Sequence, residues 1–382
     1  MRFCLFKEEI YIFMDIQTDD ISILIRGKVE KKTKTVIESA RKLFPSCKII
    51  LSTWKDSDVN DLDFDILVEN EDPGAQVFNA PLNAQTDKNG DAFFELHGKE
   101  YHIKPKPNNV NRIIKTIQSG LEKVTTKYVL NIRTDIILKN KKFLKYWNKF
   151  PKYNGKYKIF KHRIINNSTF AQFAHVMNDG TQLLPFHMSD WIHFGLTEDI
   201  KLLYSCPFQD QEDASQYWYK RERKQYEPYI NTGWQYPPET YVLYTLVKQK
   251  YPNVEFRDSD HYNKENMSVS NMIMADNFIF VNQQDFTFEM DKYPKLKDWD
   301  SELYTGFITH KEFQNLYRTY CDNSYKFFDI DFDRIIYFKK IFNLGYFLKY
   351  PRRYFKLFKE IKYLFNKKDL RKAFCIGVTD EM

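Results

Sequence analysis

Order in this sequence begins at Ile21. Ile21-Ser22-Ile23-Leu24-Ile25 is an apolar run of strand length, broken by Arg26-Gly27-Lys28. Val36, Ile37, Ala40, Leu43 and Phe44 then recur at helical spacing, with Thr33 placed as an N-cap and Pro45 as the stop. Lys48-Ile49-Ile50-Leu51-Ser52 follows as a second buried strand. Strand, helix and strand in such short order make a βαβ unit, which predicts parallel strands joined by a right-handed crossover. A third strand is expected over Phe64–Glu69.

Asp72-Pro73-Gly74 marks a turn, and the polar stretch 74–110, with Asn89-Gly90 and prolines 105 and 107, reads as a loop or hairpin insertion. Asn111 opens a strong helix with Ile113, Ile114, Ile117, Leu121 and Val124 on one face. The buried strand Tyr128–Ile132 comes next and ends in Arg133-Thr134-Asp135. Residues 140–230 are aromatic and charged with little periodicity. A helix is predicted from Glu239 to Lys250 and a strand over Phe278–Val281. Residues 1–19 read as an extra strand or hairpin. Alternating strands and helices define an α/β domain over about residues 1–333.

Charge separates the rest of the chain from this domain. Of 58 basic and 51 acidic residues, 13 basic and 2 acidic lie between Arg334 and Phe374, a net of +11. The preceding 333 residues are nearly neutral, so a cationic face that tracks nucleic acid is not expected. Within the tail, Tyr354, Leu357, Phe358, Ile361, Leu364 and Phe365 form an apolar stripe opposite Lys and Arg, and Pro351, ahead of the stripe, splits the tail into two helices. A basic amphipathic helix with aromatic residues is the pattern of an interfacial membrane binder, so an anionic membrane surface is an expected partner. A helix packed on the domain or on a protein partner would show the same stripe. No run of about 18 apolar residues exists to span a bilayer. Five scattered cysteines without a Cys-x-x-Cys pair suit a reducing compartment.

The candidate chemistry sits after the strands, where ligands bind in α/β sheets. Arg26 could pair with phosphate, and Gly27 permits close backbone approach. Asn111 and Arg112 open a helix, a natural anion site. Arg133 and Asp135 follow a strand, where a carboxylate is placed to hold a divalent cation beside a diphosphate. Each pattern also suits an ordinary turn or salt bridge. His187-Met188-Ser189-Asp190-Trp191 is a second polar cluster. In it Asp190 could bind sugar hydroxyls, whereas His187 reads as a satisfied hydrogen-bonding group and Trp191 as a buried turn residue. Glu239, in the first turn of a helix, is either a dipole-stabilised carboxylate or a general base with a pKa raised by its aromatic surroundings. Hydrolase, zinc-peptidase and P-loop motifs are absent.

At these residues the chain resembles the WavE family of lipopolysaccharide-synthesis proteins. The resemblance rests on Asp20 to Val29, Phe44-Pro45, Ile50-Leu51-Ser52-Thr53-Trp54 and Asn70-Glu71-Asp72-Pro73-Gly74. It continues in order through Asn111-Arg112, Lys127 to Leu130, Arg133-Thr134-Asp135, Ser189-Asp190-Trp191 and Pro238-Glu239. It implies a bacterial glycosyltransferase with a GT-A-like, Rossmann-like mixed sheet flanked by helices, followed here by the C-terminal amphipathic extension. It also implies a nucleotide-sugar donor, and together with the basic tail it leads to the expectation of a lipid-linked or growing glycan acceptor and an enzyme cytoplasmic and peripheral to the inner membrane. Arg26, Gly27, Asn111, Arg112 and Arg133 would then bind the donor. Arg133 stands where an Asp-x-Asp motif carries its first carboxylate, which leaves two readings: Asp135 as the single candidate ligand of Mn²⁺ or Mg²⁺, or Arg133 itself neutralising the diphosphate. Glu239 or Asp190 would be the base. A sugar- or polyol-phosphate transferase, or a non-catalytic membrane-docking protein of polysaccharide assembly, are the alternatives.

Overall fold

The computed structural model describes residues 16–327, apart from 78–79, 82–83, 97–98, 105–106, 177–181, 222–232, 260, 262, 283–284, 287 and 291–307. The basic tail, the domain boundary expected at 333/334 and nearly all of the N-terminal segment lie outside the described residues. Seven strands build the central sheet: β1 (Ile21–Arg26), β2 (Lys48–Trp54), β3 (Ile66–Asn70), β4 (Tyr128–Arg133), β5 (Ile164–Asn167), β6 (Ile192–Leu196) and β7 (Phe278–Val281). Their spatial order is β7-β5-β6-β4-β1-β2-β3. The expected βαβ unit is present, with β1 and β2 parallel and Ile25 in register with Leu51. All six β1 residues are buried, as an apolar run between two covered faces requires.

Helices α1 (Thr33–Leu43), α2 (Val110–Glu122), α3 (Thr197–Leu203), α4 (Pro238–Lys250), α5 (Lys264–Asn277) and α6 (His310–Tyr320) accompany the sheet. Several boundaries move by one or two residues, among them β3, expected over Phe64–Glu69 and found at Ile66–Asn70, and α4, which starts at Pro238 rather than Glu239. Thr33 is the first helical residue of α1 rather than its cap; its hydroxyl accepts from the Glu30 amide at 2.9 Å and donates to the Thr134 carbonyl at 3.3 Å. The insertion after β3 is a hairpin, Ala92–Leu96 paired with Lys99–Ile103, and α2 begins at Val110, one residue before Asn111.

The sheet is mixed because β6 runs antiparallel to both β4 and β5. Both β5 and β6 lie in the stretch that shows no period, since strands of four and five residues buried on both faces carry no alternation. Irregular backbone around them is satisfied from within. Arg163, 1% exposed, donates to the carbonyls of Ala275, Phe150 and Lys152. Helix α5 escapes periodicity for a related reason. Its polar Asn266, Ser270, Asn271, Asp276 and Asn277 are buried and hydrogen-bonded, so they mark no solvent face.

Leu24, Arg26 and Ser52 lie on one face of the sheet, and α2 packs onto it through Gly120. A Cβ at Gly120 would collide with the Leu24 side chain and come within 3.1 Å of Ser52 Cβ. Alanine gains about 1 kcal/mol of helix propensity over glycine, but overpacking a core contact costs about 1–3 kcal/mol. Gly120→Ala is therefore expected to destabilise the fold by roughly 1 kcal/mol net. Urea unfolding monitored by circular dichroism would show a lower midpoint with an unchanged slope.

Candidate active site

The chain leaves β1 toward β2 on one side, while β4 lies on the other. Strand order therefore reverses between β1 and β4, and the crevice at their carboxyl ends is where an α/β sheet binds ligands. Register places Arg26 directly beside Arg133 there. Parallel neighbours in register project to the same face, so two guanidinium groups leave the sheet side by side. The backbone turns sharply after β1. Gly27 adopts φ +117°, in the left-handed region, and a Cβ there would meet Thr134 Oγ1 at 3.4 Å. Thr134 closes the turn, its amide donating to the Arg26 carbonyl at 3.1 Å and its hydroxyl to the Lys28 carbonyl at 2.6 Å.

Each guanidinium has its own carboxylate. Arg26 is 4% exposed, and its Nη2 donates to the backbone carbonyl of Asp190 and lies 3.4 Å from Asp190 Oδ2. Asn166 Nδ2 holds the preceding carbonyl, that of Ser189, at 2.9 Å. The backbone around Asp190 is thus clasped from β1 and β5 just before β6 begins. A buried pair of this kind adds little net stability, but removing one partner strands the other charge at a cost of about 3–5 kcal/mol. Arg133 pairs with Asp135 through two parallel bonds, Nε to Oδ1 at 2.9 Å and Nη2 to Oδ2 at 2.7 Å. The Arg133 guanidinium carbon also lies 5.4 Å from the centre of the Trp191 ring, within cation–π range.

A cavity of about 310 Å³ opens here, lined by Arg133, Asp190, Trp191, Glu239, Trp234 and Phe170, with Asn109 and Ile113 at the start of α2. Glu239 stands in the first turn of α4, whose opening is set by Pro237 and Pro238. Burial pushes the Glu239 carboxyl up to about 8, and the nearby Asp190 adds to the shift; its own backbone amide, Arg133 and Arg26 oppose it. Burial holds His193, on β6, down to about 3 and His187 to about 4, each opposed by the nearby Asp190. His187 Nδ1 pairs with the Thr240 hydroxyl at 3.0 Å, the satisfied role expected of it. A larger cavity of about 540 Å³ lies between the end of α4 and the start of α5, lined by Lys250, Tyr251, His261 and Asn263 among others. It holds none of the strand-end residues, so size alone does not locate the chemistry.

Among the residues anticipated from sequence, Arg133, Asp190 and Glu239 line one cavity, with Arg26 and Gly27 directly behind it. Asn111 and Arg112 do not line it. Asn111 exchanges two hydrogen bonds with the Gln209 backbone at 2.8 and 2.9 Å. Arg112 makes a two-pronged pair with Asp72, with Nε–Oδ1 2.8 Å and Nη2–Oδ2 2.5 Å. The wall contributors Phe170, Trp234 and Asn109 carried no sequence signal of their own; Trp234 stood near Glu239 but without an assigned role. Trp191 is buried, 4% exposed, yet it forms part of the cavity wall.

A divalent cation finds a poor donor set. Both Asp135 oxygens accept from Arg133, and among the described residues no three His, Cys, Asp or Glu side chains converge. A divalent ion taking one of those oxygens would stand roughly 4–5 Å from the guanidinium, a repulsion on the order of 7 kcal/mol at an effective dielectric constant of about 20. Among the described residues, then, the donor set does not fit a resident metal.

The chain is thus an α/β protein with a seven-stranded mixed sheet and a charged cavity at its switch point. The sequence profile of the WavE family, described as WavE lipopolysaccharide synthesis, matches residues 21–91 and 97–343. The chain belongs to that family, and membership gives it a role in lipopolysaccharide synthesis. No curated protein matches the chain. Among the described residues no helix is long and apolar enough to cross a membrane.

The proton on Glu239 is linked to stability. The folded chain keeps it up to about pH 8, while an unperturbed glutamate releases it near 4.5. Between those values the folded state binds more protons than the unfolded one, so this group's contribution falls as pH rises. Glu239→Gln should match the native chain near pH 5 and exceed it in stability at pH 8, by up to about 1.4 kcal/mol per pH unit across the window. Denaturant unfolding at pH 5, 6.5 and 8 measures this; a difference independent of pH would show that Glu239 holds no such proton.

Proposed function

We propose that this protein is a GT-A-like glycosyltransferase, which moves a sugar from a nucleotide-sugar donor to a hydroxyl of a lipopolysaccharide or capsule glycan. The observation that carries this reading is the meeting of Glu239, Asp190 and Arg133 on one aromatic-walled cavity at the carboxyl ends of the strands. The family's role in lipopolysaccharide synthesis supports it, since building that glycan requires glycosyl transfer.

In this reading the two carboxylates divide the work. Asp190 is clasped from behind by Arg26 and orients the acceptor by accepting hydrogen bonds from its hydroxyls. Glu239, on α4, takes the proton from the attacking hydroxyl. Its carboxyl near 8 lies close to the pKa that makes a general base effective at cytoplasmic pH. The deprotonated oxygen then attacks the anomeric carbon, and the nucleoside diphosphate departs with inversion. Trp191, Trp234 and Phe170 supply the apolar faces on which sugar rings pack, and exclude water that would otherwise hydrolyse the donor. The basic tail, outside the described residues, would hold the enzyme at the anionic inner-membrane surface, where lipid-linked acceptors are assembled.

Two experiments test this. A thermal-shift screen of the purified protein against UDP, GDP, CDP, ADP and CMP should show a raised Tm with one nucleotide, because a ligand that binds only the folded state stabilises it by mass action. With the donor so identified, Glu239→Gln should lower kcat by about 10²–10⁴-fold with KM little changed. The native enzyme's rate should rise with pH up to about 8. Full activity in Glu239→Gln would remove it as the base. For the tail, deleting residues 334–382 should move the protein from the membrane to the soluble fraction on cell fractionation; unchanged membrane association would refute its anchoring role.

A further inference from the structure

The Arg133–Asp135 pair poses a specific question. In the Arg133-Thr134-Asp135 triplet the carboxylate that would greet a divalent ion is already engaged, on both oxygens, by a cation two residues away. That cation is not a distant surface group. It lines the cavity, stands at the end of β4 beside β1, and is backed by the Trp191 ring. Guanidinium is planar and permanently charged, and it matches phosphate oxygens in a two-pronged geometry. Three observations therefore agree: a donor set too small for a metal, a fixed cation at the strand end, and an aromatic wall that orients it.

We infer that Arg133 stands in for the divalent cation, so that the protein binds the diphosphate of its substrate without metal, and that Asp135 is the counter-charge of that guanidinium rather than a metal ligand. The inference rests on reading the cavity as the donor site. Asp135 keeps a strong cation from collapsing onto Asp190 or Glu239 while the site is empty. It fixes the Nε–Nη2 edge of the fork and so determines how the rest of the guanidinium meets the cavity. It also competes electrostatically with an incoming phosphate, so its charge moderates affinity rather than creating it. A metal ligand would behave in the opposite way: losing its charge would weaken binding.

Isothermal titration calorimetry on the purified full-length chain separates these cases. UDP, GDP, CDP, ADP and inorganic pyrophosphate would each be titrated in EDTA, and again with Mn²⁺ or Mg²⁺. At least one of them should bind in EDTA, with an affinity that metal changes by less than about twofold. Arg133→Gln should weaken binding by about tenfold or more, and Arg133→Lys, which keeps the charge and a bond to Asp135 but loses the fork, should fall between. Asp135→Asn should still bind in EDTA, roughly threefold more tightly, because a competing carboxylate of modest strength is gone. Melting curves of each variant confirm that it is folded. Binding that appears only with metal and vanishes in Asp135→Asn would overturn the inference, as would no binding of any diphosphate in EDTA. Pyrophosphate binding in EDTA through Arg133, with no nucleoside diphosphate bound, would uphold it and overturn the nucleotide-sugar reading instead.

Discussion

Parallel pairing of β1 with β4 ends both strands on arginine, in register and on the same face. Two guanidinium groups at neighbouring strand ends repel, and the structure answers with two carboxylates brought from different distances in sequence. Asp135 comes from two residues away and engages Arg133. Asp190 comes from across the fold and engages Arg26. The second pairing is the more demanding one. It requires that the chain between β4 and β6 return to the sheet and that β6 insert antiparallel beside β4. Asp190 then falls at the carboxyl edge of the parallel strands, two residues before β6 begins.

This charge arrangement also sets the behaviour of Glu239. With Arg26 committed to Asp190 and Arg133 to Asp135, neither cation is the direct ion-pair partner of Glu239. Burial and the neighbouring Asp190 therefore dominate, and its carboxyl rises to about 8. Two carboxylates on one cavity thus acquire different characters from their surroundings alone, a common route to separate roles in catalysis. The aromatic wall of Trp191, Trp234 and Phe170 lowers the local dielectric response and sharpens the difference.

Individual residues show how far sequence reading carries. Arg26, Gly27, Arg133 and Glu239 stand out in the sequence because each follows a strand or opens a helix, and Asp190 because it sits in a dense polar cluster; the structure gathers these five at one end of the sheet. Asn111 and Arg112 were marked by the same logic of a helix N-terminus, yet they tie α2 to the Gln209 and Asp72 segments. A local motif tells that a side chain can bind an anion or a carbonyl; it does not tell which one reaches it first. Phe170 illustrates the converse. It lines the cavity with φ +63°, and nothing in its neighbourhood of sequence announces that role.

The βαβ start, α2 and β4, the helix α4 and the strand β7 are legible along the chain. These are long or strongly periodic apolar segments whose burial any compact fold must satisfy. The basic apolar-striped tail is an expectation of the same local kind, and it lies outside the described residues. The antiparallel β6, the buried helix α5 and the pairing of each arginine with its carboxylate were decided only by tertiary structure. Short strands covered on both faces show no alternation, and polar residues that are satisfied inside a core look, in one dimension, like residues facing water. The partner of a charge is set by where the chain returns in space, and that depends on the packing of the whole sheet.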